Sequence, residues 1–393
     1  MKILHTVEFY YPSVGGMQEV VKQLSERLVR LGHEVTVVTT RLPHRKNYLV
    51  NGVKIVEFNI SGNFASGMRG EVALYQRFIL DSSFDVITNF AAQQWTTDAM
   101  ITLLDQIPAV KIFVPTGFSG LFFPKYQKYF ELMKQWLKQY DMNVFSSNDY
   151  RDVNFAREND VAQIMVIPNG AGEDDYLTTD VMDIRKKLGI SETDFFILQV
   201  GSHTGVKGHA EAIRIFNKAK ITNATFLITG SVYSRRCAIA CKLKEVLFNS
   251  WVHRKKDRKK LIVTYLSDEE IRAAYRTANL FLFPSNIECS PLVLFECMAT
   301  RTPFLTTDVG NAVEIIEWSG GGLLLPTLRD QNGRSRAEVT GSSSMLEELW
   351  ANPDRCEVLA NMGHRAWQER FTWGKITHQY EVLYLMLLQK LTS

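Results

Sequence analysis

Short apolar runs rich in β-branched residues alternate with longer amphipathic patterns through the first 170 residues of the chain. The runs have the length of strands, whereas residues 20–31 repeat their apolar positions with helical spacing. Strands that alternate with helices favour a parallel sheet covered on both faces, and right-handed crossovers make such a sheet doubly wound. The predicted strands lie at residues 3–7, 35–39, 53–59, 85–89, 110–114, 143–146 and 165–167.

The alternation is interrupted at residues 167–175, where one proline, two glycines and three acidic residues follow one another closely. This composition is typical of an exposed connection between domains. We therefore predict an α/β fold with two doubly wound, Rossmann-like domains, residues 1–170 and 171–366, and a helical tail at 367–393. Residues 330–344 are rich in Gly, Ser and charge and are predicted to form a loop. The predicted strands of the second domain are 195–200, 224–229, 260–263, 280–283 and 303–306.

The composition is that of an ordinary soluble globular protein. Hydrophobic residues make up 46% of the 393 positions, charged residues 22%, and the formal net charge is +3, so the bulk charge does not indicate nucleic acid as a partner. The five cysteines contain no Cys-x-x-Cys pair, and neither a disulfide framework nor a zinc site is expected. No apolar stretch reaches the roughly 18 residues of a membrane-spanning helix. We expect a cytoplasmic protein that meets a membrane, if at all, at its inner surface.

Ligands in open α/β sheets bind at the carboxyl ends of the strands, so the loops after the predicted strands are the candidate sites. In the first of these loops, Gly15 and Gly16 lie just before a predicted helix. Glycine lets a backbone approach a ligand closely, and the N–H groups at a helix amino terminus stabilise an anion. The alternative is a plain tight turn.

A second candidate loop, residues 201–208, follows the strand predicted at 195–200. It begins Gly201-Ser202-His203 and carries Lys207 between small residues. The loop lacks the Gly-Lys-Ser/Thr ending of a Walker loop, so ATP hydrolysis is not indicated. A lysine beside backbone N–H donors suits a phosphate group, although a solvated surface lysine would have the same sequence.

A third loop follows the strand predicted at 280–283. Ser290 is a plausible N-cap and Pro291 suits the first position of a helix. The N–H groups of Leu292 and Val293 would then face a ligand from the positive end of the helix dipole, which is an arrangement that binds a diphosphate.

Two carboxylates flank this predicted helix start, with Glu288 before it and Glu296 inside the helix. Glu296 lies roughly 8 Å along the axis from Pro291, since a helix rises about 1.5 Å per residue. The pair could bracket a ligand longer than a phosphate, one carboxylate at a transferred group and the other at ribose hydroxyls. Alternatively, Glu288 only complements the helix dipole and Glu296 lies on a surface. A fourth loop, 306–314, contains Gly310-Asn311, for which a turn is the simplest interpretation.

These loops together resemble those of the family-four glycosyltransferases, retaining enzymes with the GT-B fold that use nucleotide-activated sugars. The most specific element is a Glu-x7-Glu motif, Glu288 to Glu296, and Gly15-Gly16, Pro168-Asn169-Gly170, Lys207-Gly208 and Asp308-Val309-Gly310 support it. The resemblance covers nearly the whole chain. It implies that the two domains face each other across a cleft and that the carboxy-terminal segment crosses back to the amino-terminal domain.

The resemblance also implies roles for individual residues. Glu288 would contact the transferred sugar, Glu296 would bind the ribose, and Lys207 would neutralise the diphosphate leaving group with help from amides at the helix start. Gly15 and Gly16, with the loop Gly201-Ser202-His203, complete the expected donor site. A UDP- or GDP-linked sugar is the expected donor, and neither a cofactor nor a metal ion is expected.

Two positions depart from the family pattern. Many relatives have an arginine where this chain has Ser202, and His203 next to it could replace that charge only in part. Relatives also commonly have a histidine in the loop after the fifth strand, whereas residues 114–118, which include Gly117, supply none. Two alternatives to a transferase therefore remain: another GT-B enzyme, such as an epimerase or a phosphorylase, and a sugar-nucleotide-binding protein with weakened catalysis.

The acceptor side is indicated only by composition. Residues 118–140 combine aromatic residues with lysines and would suit an anionic membrane that carries a lipid-linked glycan, as in lipopolysaccharide or capsule synthesis. An ordinary helix packed on the core has similar spacing. The basic run 254–260 would add attraction to a membrane, or would form a solvated face.

Overall fold

A computed structural model of the chain describes residues 1–176, 182–252, 257–331 and 333–392. The chain divides into two compact units. Unit 1 contains Met1–Asn169 and Trp373–Ser393, and unit 2 contains Gly170–Thr372. The division lies one residue before the predicted position, and both sides of it carry a doubly wound parallel sheet, as the sequence pattern predicted.

The apolar runs of the first 170 residues form the strands of unit 1. Among them, residues 86–90 are buried at every position because helices cover both faces of a parallel sheet. The strands are β1 (Lys2–Thr6), β2 (Glu34–Thr40), β3 (Leu49–Val50), β4 (Val53–Phe58), β5 (Ile60–Asn63), β6 (Gly67–Gly70), β7 (Val86–Phe90), β8 (Val110–Val114), β9 (Met142–Phe145) and β10 (Ile164–Val166).

The main sheet of unit 1 has the order β10-β9-β8-β7-β1-β2-β4-β3, and its pairs are parallel except for β3 with β4. The small antiparallel pair β5 and β6 was not predicted from the sequence. The helices of this part are α1 (Gly16–Arg30), α2 (Val72–Asp81), α3 (Trp95–Asp98), α4 (Gln127–Gln139) and α5 (Arg151–Glu158).

Unit 2 repeats the plan with an all-parallel sheet. Its strands are β11 (Phe195–Val200), β12 (Ala224–Thr229), β13 (Lys259–Val263), β14 (Leu280–Phe283), β15 (Phe304–Thr306) and β16 (Gly322–Leu324), with a separate antiparallel pair, β17 (Thr327–Arg329) and β18 (Ser335–Ala337). The order of the sheet is β13-β12-β11-β14-β15-β16. The helices are α6 (Glu173–Tyr176), α7 (Ile184–Leu188), α8 (His209–Lys218), α9 (Arg235–Val252), α10 (Asp268–Thr277), α11 (Leu292–Ala299), α12 (Ala312–Ser319), α13 (Val339–Ala351) and α14 (Pro353–Ala366).

The last helix, α15 (Trp373–Thr392), belongs to unit 1 and packs against α1. Its Tyr384 hydroxyl lies 3.2 Å from Nε2 of His5 and 2.8 Å from Oγ1 of Thr88. All three side chains are buried, so this polar network fixes the position of the helix on β1 and β7. No helix within the described ranges is long and apolar enough to cross a membrane.

Two sequence predictions about the last third of the chain are wrong. Residues 330–344 do not form one loop, because β18 and the start of α13 lie within them. The tail does not separate from the second domain at residue 367, because the π-helical turn Trp367–Phe371 packs in the core of unit 2. The indole Nε1 of Trp367 donates to the carbonyl oxygen of Ala171 at 3.1 Å, which ties this turn to the beginning of the unit.

The strand orders place the candidate loops at the positions where such sheets bind ligands. In unit 1, β1 lies between β7 and β2, and in unit 2, β11 lies between β12 and β14. The direction of the crossovers reverses at these central strands, and a crevice opens at their carboxyl ends. The loops that contain Gly15 and Lys207 follow these two strands directly.

Candidate functional site

The loop after β11 is held close to the end of β14. Gly208 precedes α8 with φ of 68°, and a Cβ atom at this residue would lie 1.8 Å from the carbonyl oxygen of Pro284. Only glycine allows this approach. The main-chain N–H of Asn286 donates to the carbonyl oxygen of Val206 at 2.9 Å, so the second and third candidate loops form one connected surface.

Lys207 and Glu288, the two predicted catalytic residues, are in direct contact. Nζ of Lys207 lies 2.6 Å from Oε1 of Glu288, and the hydroxyl of Ser285 donates to the same oxygen at 2.7 Å. The side chains are 25% and 11% exposed, so a ligand can reach the pair from solvent. This site therefore contains a cation and an anion whose charges balance each other.

Ser285 and Asn286 hold the Glu288 loop in place, and neither was predicted from the sequence as a site residue. Both side chains are buried. The amide of Asn286 donates to the carbonyl oxygen of Ser335 at 3.0 Å and accepts from Arg336 at 2.8 Å. Their position in the loop that follows β14 was the available sequence feature, because polar residues at the carboxyl end of a strand are typical of a site.

The helix of the third loop begins one residue later than predicted. Pro291 occupies the N-cap position with extended backbone, and α11 starts at Leu292, so Ser290 is not the N-cap. The shift leaves the N–H groups of Leu292 and Val293 in the first helical turn, where the helix itself supplies no acceptor.

Glu296 lies on the same face of α11 as Leu292 and one turn further along, since helix positions four apart are neighbours. These two residues and Val293 are half-buried, whereas the core face of the helix is fully buried. The structure thus places the predicted donor-binding residues of α11 on one accessible face.

The fourth loop also depends on a glycine. Gly310 has φ of 56°, and a Cβ atom there would lie 2.2 Å from the carbonyl oxygen of Cys289. The N–H of Asn311 donates to the same oxygen at 2.9 Å. The loop after β15 therefore packs against the backbone next to Glu288 and stabilises its position.

The residues at the start of the second loop do not supply a second cation. Ser202 is half-buried, and the His203 ring is buried against His209, with ring centroids 4.6 Å apart. Burial lowers the pKa of His203, so its imidazole is neutral at neutral pH. His203 therefore does not replace the arginine that many relatives have at residue 202.

In unit 1, Gly15 is the N-cap of α1 and Gly16 is its first residue. The loop before them is held by Arg45, whose buried guanidinium donates to the carbonyl oxygens of Tyr11 at 2.7 Å and Tyr10 at 3.1 Å. The same guanidinium forms an ion pair with the buried carboxylate of Glu57. Arg45 was not predicted from the sequence as a site residue, because its neighbours in the chain form no motif.

The loop after β8 contains the second departure from the family pattern. Thr116, Gly117 and Phe118 all have positive φ. The N–H of Gly117 donates at 2.7 Å to Asp152, whose buried carboxyl has its pKa raised to about 6, chiefly by burial. A buried carboxyl of α5 therefore holds this loop in its unusual conformation.

The aromatic and basic segment 118–140 divides into two parts. Most of its aromatic residues belong to the core of unit 1, as expected for an ordinary packed helix. Phe122 and Phe123 are different, because 76% and 60% of these side chains are exposed, and exposed Lys125 follows them. We call residues 122–125 the aromatic tip.

The basic run 254–260 lies partly outside the described residues, which exclude 253–256. Two of its other lysines are used within unit 2. Lys259 is buried and donates to the carbonyl oxygen of Ala219, the C-cap residue of α8, at 2.8 Å. Lys260 donates to the carbonyl oxygen of Gly189, the C-cap residue of α7, at 2.8 Å. These two residues therefore stabilise helix ends and do not form a membrane-binding face.

A cavity of about 300 Å³ lies in unit 2 at the amino-terminal ends of the strands, opposite the candidate loops. Phe195, Asn223 and Asn279 line it, and they mark the amino-terminal ends of β11, β12 and β14. Ligands of open parallel sheets bind at the carboxyl ends, so this cavity is not part of the candidate donor site.

Comparison with known proteins identifies the family. Residues 14–174 match the family model Glycosyltransferase Family 4, and residues 180–332 match the model Glycosyl transferases group 1. N-acetyl-alpha-D-glucosaminyl L-malate synthase of Bacillus anthracis is 24% identical over 398 residues, with 96% of each chain covered.

Solved structures with a similar fold include sucrose-phosphate synthase of Thermosynechococcus elongatus, with a TM-score of 0.78, 19% identity and 99% of both chains covered. HepE of Anabaena in complex with UDP has a TM-score of 0.73 and 16% identity over 98% of this chain and 99% of that one. WaaG, a glycosyltransferase involved in lipopolysaccharide biosynthesis, has a TM-score of 0.69 and 15% identity over 97% and 99%. The chain belongs to the family-four glycosyltransferases and is a glycosyltransferase with the GT-B fold.

Proposed function

We propose that the protein transfers a sugar from a UDP- or GDP-linked donor to a hydroxyl group of a cell-surface glycan or glycolipid, with retention of configuration at the anomeric carbon. The contact of Lys207 with Glu288 beside the start of α11 carries this proposal. A cation, a carboxylate and helix N–H groups thus lie together at the carboxyl ends of the strands. A nucleoside diphosphate sugar needs all three of these groups.

The cation and the N–H groups act on the leaving group. As the bond between the anomeric carbon and the diphosphate breaks, negative charge grows on the phosphate oxygens. Lys207 and the amides of Leu292 and Val293 interact with this charge more strongly in the transition state than in the bound donor, which is the condition for catalysis. The protein's own groups thus perform this step without a metal ion at the diphosphate.

The carboxylates act on the two sugars of the donor. Glu288 contacts the transferred sugar, whose anomeric carbon becomes positively charged as the diphosphate leaves, and Glu296 accepts hydrogen bonds from ribose hydroxyls. The acceptor hydroxyl attacks on the face from which the diphosphate departs, and its proton passes to a phosphate oxygen. The two carboxylates therefore do not act as the acid and base pair of a hydrolase.

The donor can be tested by thermal unfolding with a panel of nucleotides and nucleotide sugars. A ligand at about 100 times its dissociation constant stabilises the folded protein by roughly 2.7 kcal/mol. We expect a nucleoside diphosphate and its sugar to raise the Tm, and we expect Lys207→Ala to reduce the shift. Solved complexes of HepE contain UDP and UDP-glucose, so uridine nucleotides should be tested first.

The reaction can then be followed by NMR with the donor that binds. A product with the anomeric configuration of the donor supports the proposal, and an inverted product contradicts the retaining step. A changed nucleotide sugar formed without acceptor would instead identify an epimerase. Binding without turnover over a panel of acceptors would identify a sugar-nucleotide-binding protein.

The aromatic tip in unit 1 supports a membrane-associated acceptor. Two exposed phenylalanines beside a lysine are typical of residues that insert at a lipid interface. We expect replacement of both Phe122 and Phe123 by serine to lower binding to anionic lipid vesicles about tenfold or more, since burial of one phenylalanine contributes roughly 1.5–3 kcal/mol. Sedimentation with vesicles measures this binding.

The matched control is Leu49→Ser, because Leu49 is 69% exposed in the same unit but lies on β3, outside the aromatic tip. This variant should bind vesicles as the unaltered protein does. Equal binding of the unaltered protein and the double variant would exclude the tip as a membrane contact.

A further inference from the structure

Two histidines and two cysteines of unit 2 come together beside the loop that carries Lys207. His203 lies in the loop after β11, His209 is the first residue of α8, and Cys237 and Cys241 are one turn apart on α9. One ligand atom from each of the four lies within 4.8 Å of every other. We call these four residues the His2Cys2 cluster.

The distances within the cluster fit a tetrahedral metal ion. Sγ of Cys237 lies 3.7 Å from Nδ1 of His203 and 3.7 Å from Nδ1 of His209. Zinc binds sulfur at about 2.3 Å and nitrogen at about 2.0–2.1 Å, and at a tetrahedral angle these bonds put the two atoms about 3.6 Å apart. Both sulfur–nitrogen distances are therefore close to the distance between two ligand atoms in a tetrahedral zinc site.

The hydrogen bond of His209 determines which of its nitrogens faces the cluster as an acceptor. Nε2 lies 3.1 Å from the carbonyl oxygen of Gly201, and a carbonyl only accepts, so Nε2 carries the hydrogen and Nδ1 carries the lone pair. A histidine that ligates a metal typically donates its other N–H to a backbone carbonyl in this way. The thiol of Cys237 has only one hydrogen, so it can donate a hydrogen bond to only one of the two imidazole nitrogens near it. A metal ion, in contrast, could be bound by both imidazole rings and both sulfurs at once.

The backbone around the cluster is fixed by hydrogen bonds. The N–H of His203 donates to the carbonyl oxygen of Ser231 at 2.8 Å, and the N–H of Ser234 donates to that of His203 at 2.6 Å. The N–H of Cys237 donates to the Ser234 hydroxyl at 3.3 Å. The loops after β11 and β12 are thus joined, and His203 is held next to the first turn of α9.

We propose that His203, His209, Cys237 and Cys241 bind one zinc ion, which fastens the loop after β11 to α9. Two sulfurs and two imidazoles are a ligand set typical of structural zinc, and two thiolates balance the charge of the ion. Four protein ligands leave no position for a substrate, so the ion is structural and takes no part in the transfer step.

Metal binding by the whole chain of 393 residues tests this proposal without any measurement of activity. After removal of metal with a chelator under reducing conditions, Zn²⁺ is titrated against a chromophoric chelator, and Co²⁺ is added to a second sample. We expect one equivalent of zinc per chain. We also expect cobalt spectra with the intense visible bands of tetrahedral coordination and the near-ultraviolet absorption of thiolate ligands.

Variants show whether the cluster is the site. Cys237→Ser and Cys241→Ser should each weaken zinc binding by more than the roughly 10- to 100-fold that loss of an outer hydrogen-bond partner costs. The matched control is Cys356→Ser, because Cys356 is a buried cysteine of the same unit outside the cluster, and it should keep one equivalent.

Less than one-tenth of an equivalent of zinc in the unaltered protein would overturn the proposal, and so would an octahedral cobalt spectrum. Unchanged affinity in the two cysteine variants would do the same. If those variants do not fold, the cobalt spectrum of the unaltered protein decides the question by itself.

Discussion

Replacing Glu288 by glutamine is expected to lower kcat for sugar transfer by about 100- to 1000-fold, the effect of removing one electrostatic group from a transition state. The amide has nearly the same size and can still accept from the Ser285 hydroxyl, so the loop keeps its shape. Only the negative charge near the anomeric carbon is lost, and that carbon becomes cationic as the diphosphate leaves. Steady-state kinetics with the donor that binds measures the change.

The binding of the nucleoside diphosphate separates this effect from a general loss of the site. The substitution removes the anionic partner of Lys207, so affinity for the diphosphate should not fall. Glu317→Gln is the matched control, because Glu317 is exposed on α12 and distant from the Glu288 loop in sequence. Turnover by Glu288→Gln at the rate of the unaltered protein would remove Glu288 from the catalytic assignment.

Replacing Arg45 by methionine is expected to lower the free energy of unfolding of unit 1 by about 3–5 kcal/mol, the usual cost of breaking a buried ion pair by removing one partner. Glu57 would remain buried with its charge unpaired, and the carbonyl oxygens of Tyr10 and Tyr11 would lose the hydrogen bonds that Arg45 donates. Urea unfolding followed by circular dichroism measures the loss, and hydrogen exchange assigns it to unit 1.

Two variants serve as controls for this measurement. Arg77→Met removes the surface ion pair between Arg77 and Asp81, whose side chains are 79% and 72% exposed. This variant should lower the free energy of unfolding by less than about 1 kcal/mol. Arg45→Met combined with Glu57→Gln should regain part of the stability, because no unpaired charge remains buried. A loss of less than about 1 kcal/mol in the single variant would show that the pair contributes no more than a surface pair.

The sequence predicted the parallel sheets closely because their strands are buried on both faces. Residues 110–114, 195–200, 224–229 and 280–283 were predicted with the bounds that the structure has. Hydrophobic runs of this kind are the strongest local pattern in an α/β protein. The pair β5 and β6 was missed because its residues are mostly exposed, and glycines such as Gly62 and Gly70 give it little apolar pattern.

The candidate site was only partly predictable, because its residues are joined by contacts between loops. Lys207 and Glu288 were selected separately, one from its glycine neighbours and one from its motif, and only the fold shows that they touch. Arg45 is distant in sequence from the loop that it supports. The His2Cys2 cluster was missed because its cysteines are four residues apart and its histidines follow a different strand, so no short motif contains them.

The ion pair of Lys207 and Glu288 has a consequence for which anions the protein accepts. An incoming anion must replace the carboxylate that already lies beside the lysine. The net free energy of binding is therefore only the difference between the interaction of the lysine with the new anion and its interaction with the carboxylate. In the proposed reaction, donor binding exchanges one anion for another. A weakly charged anion gains little from this exchange. A diphosphate gains more, because it interacts with Lys207 and the first turn of α11 together. The displaced carboxylate then lies next to the bound sugar, so the negative charge that assists transfer becomes available when the donor arrives.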